Sequence, residues 1–414
     1  MGQQRNSLPK GWKEEKLGDI CIINPSKAEV KNLDENFEVS FIPMAYVSED
    51  GKIISIDKRH LKEVNKGFTF FKNGDVLLAK ITPCFENGKK AIAEDLTNGI
   101  GFGTTEFYVL RPQEKVISKW LYYNVSREDF RALAKRSMVG AVGQQRVSKI
   151  MIENFEVPII SIPEQELIIS EIETQFTRLD EAVKSLKSVK EKLEVYRKAV
   201  LNKSFRGEGR TLSQIASSDK HSIKRGPFGG SLKKEIFVIN GYKIYEQKHA
   251  IQNDFSIGKY FISKEKFEEM KAFAVKPGDF IISCSGTIGK IAEIPDGANE
   301  GIINQALLKL SLDNNKIINE YFRYLFQSEY IQRHLTKVSR GVAIKNVPSV
   351  KELKTIKFPV PSLPEQKLII QDIESKFSII DKIERVVEDS LKKAEKLRKS
   401  ILKSAFEGKL IKNE

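Results

Sequence analysis

The chain has 414 residues, 40% of them hydrophobic, which is enough for two or more packed domains and too apolar for a disordered chain. Its 69 Lys and Arg against 55 Asp and Glu leave a net charge of +14, which favours a polyanionic partner, nucleic acid first. Cys21, Cys84 and Cys284 form no C-x-x-C pair, so neither a disulfide framework nor a zinc site is expected, and a cytoplasmic location follows.

MGQQRNSLPKGW lacks the apolar core of a signal peptide, and Asn6 stands where myristoylation needs Ser or Thr. No apolar run approaches the roughly 18 residues of a membrane span. Residues 1–158 form a first module of mostly period-two patterning with Gly-Asp turns, as in NGDVLLAKI (73–81) and GTTEFYVLRP (103–112). This predicts short strands in a twisted sheet, followed by a helical stretch near Lys119–Lys135. Polar and basic residues gather in its loops: Lys80, Thr82, Lys89, Thr104, Thr105, Glu106, and then Gln144, Gln145 and Arg146 after Gly143.

Residues 159–208 predict one long helix, since no Pro or Gly occurs from Glu164 to Phe205. Its apolar stripe runs Ile172, Phe176, Leu179, Val183, Leu186, Val189, Leu193, Tyr196, Val200. That is heptad spacing with one extra three-residue step, a stammer. Gly207 is a stop signal.

Residues 209–359 form a second module of the same α+β kind, with PGDFIISCS (277–285), INQALLKLSL (303–312) and a helical stretch near Asn319–Val338. Its loop candidates are Lys224, Arg225, Ser231, Lys233 and Lys234 in KRGPFGGSLKK, then Ser285, Thr287, Lys290, Asn304, Gln305, Lys345 and Asn346. Arg and Lys suit guanine, Gln and Asn suit adenine, and Glu accepts from cytosine. Lysines and backbone NH groups of Gly-rich loops suit phosphates.

Residues 360–414 hold a second long helix whose stripe passes through Ile373, Phe377, Ile380, Val387, Leu391, Ala394 and Ile401, with Gly408 as its stop. It repeats the first: IPEQELIISEIETQF (162–176) recurs as LPEQKLIIQDIESKF (363–377). The offset of 201 residues from Glu164 to Glu365 also aligns Asp180 with Asp381, Arg197 with Arg398 and Phe205 with Phe406. Upstream it aligns Gly140 with Gly341 and Pro158 with Pro359. Two copies of one unit predict a pseudo-two-fold molecule. Each exposed stripe finds its simplest partner in the other helix. Connectivity makes the pair antiparallel, with a module at each end of a rod.

Catalytic chemistry is not expected. Gly286-Thr287-Ile288-Gly289-Lys290-Ile291 has two residues between its glycines where a P-loop has four, and Ile where magnesium needs Ser or Thr. Glu352-Leu353-Lys354 has a nuclease-like spacing without a partnered acid. His60, His221, His249 and His334 are scattered, with no metal-ligand spacing among them.

The order of module, PEQ-started helix ending in F-x-G, second module and second such helix resembles type I restriction–modification specificity subunits over essentially the whole chain. GDVLLAKITPCFENGK, GTTEFYVLRP, GQQRVS and the GPFGGSLKK loop carry the likeness further. The second module departs from it, with SRGVAIKN (339–346) in place of GAVGQQRV, which suggests that the modules read different sequences.

The resemblance implies two target recognition domains, each reading half of an asymmetric bipartite DNA site. It implies that the helix pair spaces them and docks two methyltransferase subunits, and through these the motor-endonuclease subunits. S-adenosylmethionine and ATP with magnesium would belong to those partners, leaving this chain without catalytic residue, cofactor or metal. The alternative is an orphan DNA-binding or coiled-coil scaffold protein without modification partners.

Overall fold

The computed structural model describes residues 8–228, 230–337 and 350–411. They fall into two compact units, one of residues 1–186 with 389–414 and one of residues 187–388. Among the described residues no helix is long and apolar enough to cross a membrane.

Each unit is built on two four-stranded sheets. In the first unit one sheet runs Cys21–Ile23, Phe107–Pro112, Val76–Ala79, Lys90–Ile92, antiparallel throughout. The other runs Asp57–His60, Glu38–Ile42, Ile100–Gly103, Thr69–Lys72, with its central pair parallel. The second unit repeats both orders. Ile223–Arg225, Leu307–Leu310, Phe280–Ser283 and Ile291–Glu293 form the antiparallel sheet. Phe261–Ile262, Tyr242–Tyr245, Gly301–Ile303 and Ala274–Val275 form the mixed one.

One sheet per module was expected; among the described residues each unit has two four-stranded sheets and a two-stranded one, which pairs Lys13–Lys16 with Glu156–Ile159 in the first unit and Gly209–Thr211 with Lys357–Pro359 in the second. Hairpin signals reveal the antiparallel sheet, but the parallel pairs join strands distant in sequence and leave no local mark.

The antiparallel sheet is buried on both faces, so its central strands are continuous apolar runs rather than alternating ones. Val76 and Leu78 pack into the cluster that holds the long helices, and Leu77 turns the other way onto Phe71, Phe107 and Val109. Phe280 and Ile282 against Ile281 repeat this in the second unit. The Gly-Asp turns close themselves: Asp75 accepts from the Lys72 amide at 2.8 Å, and Asp279 from the Lys276 amide at 3.0 Å.

Each expected helical stretch is two helices. The first is broken between Ser118–Asn124 and Glu128–Arg136, the second between Asn319–Gln327 and Glu329–Lys337. At each break a serine hydroxyl takes up a helix carbonyl, Ser126 that of Tyr122 and Ser328 that of Leu325.

The long helices span Ile162–Ser204 and Leu363–Phe406. Each starts from a latch. Gln165 is wholly buried; its amide donates to the Lys115 and Ile160 carbonyls at 2.7 and 3.0 Å and accepts from the Ile117 amide at 3.2 Å. Gln366 repeats all three bonds with Lys316, Pro361 and Ile318. Glu164 and Glu365 accept from the amide and hydroxyl of Ser161 and Ser362, capping their helices.

The seam differs from the expected stripe. Tyr196 is exposed, while Leu193 is buried and Arg197 half-buried; Val189 and Lys190 both lie at the margin. Leu193, Arg197 and Val200 keep a 4-3 spacing in the seam, with Arg197 in the place expected of Tyr196. A charged side chain holds a seam position because its partners reach it. In the second unit Lys190 pairs with Glu388 at 3.1 Å and Arg197 with Asp381 at 2.5 Å, so the helices run antiparallel there. The Arg197 guanidinium also lies 4.6 Å from the centre of the Phe377 ring. In the first unit Arg398 lies 4.3 Å from the Phe176 ring and pairs with Asp180, the same triad with its copies exchanged.

Gln165→Ala leaves three backbone groups at the junction without their partner and is expected to cost about 2–4 kcal/mol. Denaturant unfolding with Gln366→Ala as its counterpart measures this; an unchanged midpoint in both would contradict the latch.

Candidate nucleic-acid interface

Strand direction decides where the candidate residues meet. In the first unit, Ile23 lies opposite Leu110 and Ala79 opposite Phe107. The end of Cys21–Ile23, the end of Val76–Ala79 and the start of Phe107–Pro112 therefore share one edge of the sheet. Lys80 and Thr82 leave from that edge and Thr104, Thr105 and Glu106 arrive at it.

The segment 138–147 is stitched to the same place. Thr82 and Gln145 exchange bonds, the Thr82 amide to the Gln145 carbonyl at 2.9 Å and the Gln145 amide to Thr82 Oγ1 at 3.1 Å. The Lys80 amide donates to Glu106 O, and the Lys80 carbonyl accepts from Val147. Arg146 forks onto the Glu106 carboxylate at 2.7 and 2.9 Å, which holds that carboxyl below its usual range. Gln144 stays exposed, and Val142 beside it is 99% exposed. The Lys89 ammonium turns inward to the Met44 carbonyl at 3.1 Å, and Lys80 lies over the Tyr108 ring.

The second unit builds the same edge. Arg225 lies opposite Leu308 and Ser283 opposite Leu307, so the loops after Arg225, after Ser283 and before Leu307 converge. This collects Lys224, Arg225, Ser285, Thr287, Lys290, Asn304 and Gln305, with Ser231, Lys233 and Lys234 on the loop beyond. Arg225 Nε donates to the Gln305 carbonyl at 3.3 Å and the Gly226 amide to that of Leu307 at 2.9 Å. A Cβ on Gly226 would stand 1.9 Å from Asn304 O, so only glycine lets this loop approach so closely. The glycines of 286–291 form the tight turn between two strands, and Lys290 is exposed on it.

Thr104 and Asn304 hold matching places and spend their side-chain oxygens alike, accepting from the amides of Glu106 and Ala306 at 3.2 and 3.1 Å. Lys345 and Asn346 lie outside the described residues. Three residues at these edges carried no sequence signal as contacts. Gln247 donates to the Ser285 and Thr287 carbonyls, and Val142 and Phe228 are apolar and exposed. Among the described residues no cluster of His, Cys, Asp or Glu is arranged to hold a metal. Burial pushes the Cys21 thiol up to about 12 and that of Cys284 up to about 11, so both stay protonated.

A family model, type I restriction modification DNA specificity domain, matches residues 9–194 and 229–392. The chain belongs to the type I restriction–modification specificity subunits. The EcoAI specificity subunit of Escherichia coli is 43% identical over 175 residues, covering 42% of this chain and 28% of that one. The StySPI specificity subunit of Salmonella potsdam is 23% identical over 98% of this chain and 90% of its own length.

Among solved structures, a chain from work on assembly and conformational transition of a type I R-M system matches with a TM-score of 0.78 at 18% identity. It covers 98% of this chain and 100% of that one. The HsdS subunit of Thermoanaerobacter tengcongensis gives 0.62 at 18% identity, covering 99% and 100%. These likenesses establish the shared fold. The match to EcoAI spans about a quarter of that subunit's length.

Gly226→Ala is expected to push the 226–234 loop off the Asn304–Gln305 turn and to cost about 1–3 kcal/mol. Hydrogen exchange at the residue-226 amide should accelerate; unchanged protection there would contradict the close approach.

Proposed function

We propose that this specificity subunit binds double-stranded DNA and reads a bipartite asymmetric site, one half with each sheet edge. The observation that carries the reading is the gathering of Lys, Arg, Gln, Asn, Thr and Ser at the same edge of the same sheet in both units. Such an edge offers backbone-positioning cations and amide-bearing side chains together, the mixture that duplex readout requires. The net charge of +14 favours the same partner. The two edges differ in composition, Gln144, Gln145 and Arg146 in one and Arg225, Asn304 and Gln305 in the other. Two unlike half-sites follow from that difference.

In this reading the long helices set the unread gap between the halves and dock two methyltransferase subunits, which bring the motor-endonuclease subunits. S-adenosylmethionine and ATP with magnesium act in those partners. This chain contributes recognition and carries no catalytic residue, cofactor or metal of its own. The Arg146–Glu106 fork has a place in it as well: it holds the guanidinium rigid and part-neutralised until a guanine edge competes for it.

Methylation mapping of DNA from a host carrying the cognate methyltransferase subunit, with and without this chain, tests the reading. A chain-dependent motif in two parts with a fixed gap is expected; no new methylation with a folded partner present would contradict it. Gln144→Ala or Arg146→Ala should weaken or relax one half only, by about 10- to 100-fold. Full methylation of the original site by both variants would remove that segment from the interface.

A further inference from the structure

Phe228 is 69% exposed, although it belongs to a residue type that is mostly buried. Backbone contacts tie down the residues on either side of it. The Gly226 amide is bonded to Leu307 O, the Gly226 backbone presses on Asn304, and Ser231 Oγ donates to the Phe228 carbonyl at 2.8 Å. The Arg225 guanidinium lies 5.8 Å from the centre of the ring while its Nε holds Gln305 O. An aromatic ring is thus presented from the same sheet edge as Asn304 and Gln305, with Lys224 and Arg225 before it and exposed Lys233 and Lys234 after it.

An apolar protein groove is a poor match for this arrangement. Seating the ring there would strip water from the cations beside it without pairing them. A nucleic acid satisfies both parts at once, with a base for the ring and phosphates for the cations.

Among the described residues, the matching segment of the first unit has no equivalent aromatic. Its matching strand stops at Ile23, Asn24 Oδ1 accepts from the Val109 amide at 3.0 Å, and the chain turns away through Ser26 without an aromatic. Resting on the DNA reading above, we propose that Phe228 is an aromatic wedge that stacks on a base at an opened step within the half-site bound by the second unit. The wedge makes the two halves unequal in mechanism as well as in sequence: only one of them has a step opened by this chain itself. Specificity in the second half then includes how easily that step unstacks.

The test uses the full chain with its methyltransferase subunit, without methyl donor, and a labelled duplex of the mapped site. 2-Aminopurine is placed at successive positions in both halves. Beyond the bases extruded by the methyltransferase, wild type should raise the emission at one further step in one half, and Phe228→Ala should abolish that rise alone and weaken binding about tenfold by anisotropy. Phe228→Trp should restore both and Phe228→Leu should not. The thermal midpoint should be the same for all variants, since the ring is exposed. Binding by Phe228→Ala at wild-type affinity with an unchanged emission pattern would overturn the wedge and leave the DNA reading standing. Failure of the wild-type complex to bind the duplex at all would overturn both.

Discussion

A buried glutamine at the start of each long helix ties the molecule's regular and irregular parts together. Gln165 and Gln366 each bridge the loop before a module helix and the strand that ends the module, using every hydrogen-bonding atom of the amide. A shorter or charged side chain could not replace that pattern, since both donor and acceptor functions are needed from one planar group. Aromatic donors reinforce the same junction, with Trp120 Nε1 bonding the Pro158 carbonyl and Tyr321 OH that of Pro359. The helix that arrives from the other copy closes each core: Phe406 packs edge-on against Trp120, and Phe205 against Tyr321. Each unit is therefore completed by the helix end of the opposite repeat, which explains why both helices terminate in the same F-x-G.

The seam adds a second constraint. Coiled coils use polar groups at core positions to fix register at some cost in stability. Here Arg197 and Arg398 stack on Phe377 and Phe176 and pair through one nitrogen each with Asp381 and Asp180. One turn of slippage would separate both triads, so the register follows from charge as well as from shape. The exposure of Tyr196 is a consequence, because the seam takes Arg197 instead.

These features mark what a sequence can reveal. The repeat, the helices and the antiparallel strands were legible because their signals are local: Gly-Asp turns, an apolar rhythm, an uninterrupted run without Pro. The mixed sheet was not, since Glu38–Ile42 finds Ile100–Gly103 only in three dimensions. The seam was misread where a charged residue replaced an apolar one. The loop candidates cluster in composition, and antiparallel pairing brings those among the described residues toward one edge in each unit. Thr104 and Asn304 show the limit of that method, as their oxygens are engaged in the turn itself. Phe228 escaped notice because an apolar residue in a loop reads as core until its exposure is known.

The central claim, that the helix pair sets the distance between two separately read half-sites, is tested most directly by lengthening it. Seven residues continuing the heptad would be inserted between Val189 and Lys190 and again between Glu388 and Asp389, which leaves the Lys190–Glu388 pair in register. One heptad adds about 10 Å of helix, equivalent to about three base pairs of duplex. Methylation mapping of the lengthened subunit should return the same two half-sites with a gap about three base pairs wider. The same half-sites methylated with an unchanged gap would contradict the account.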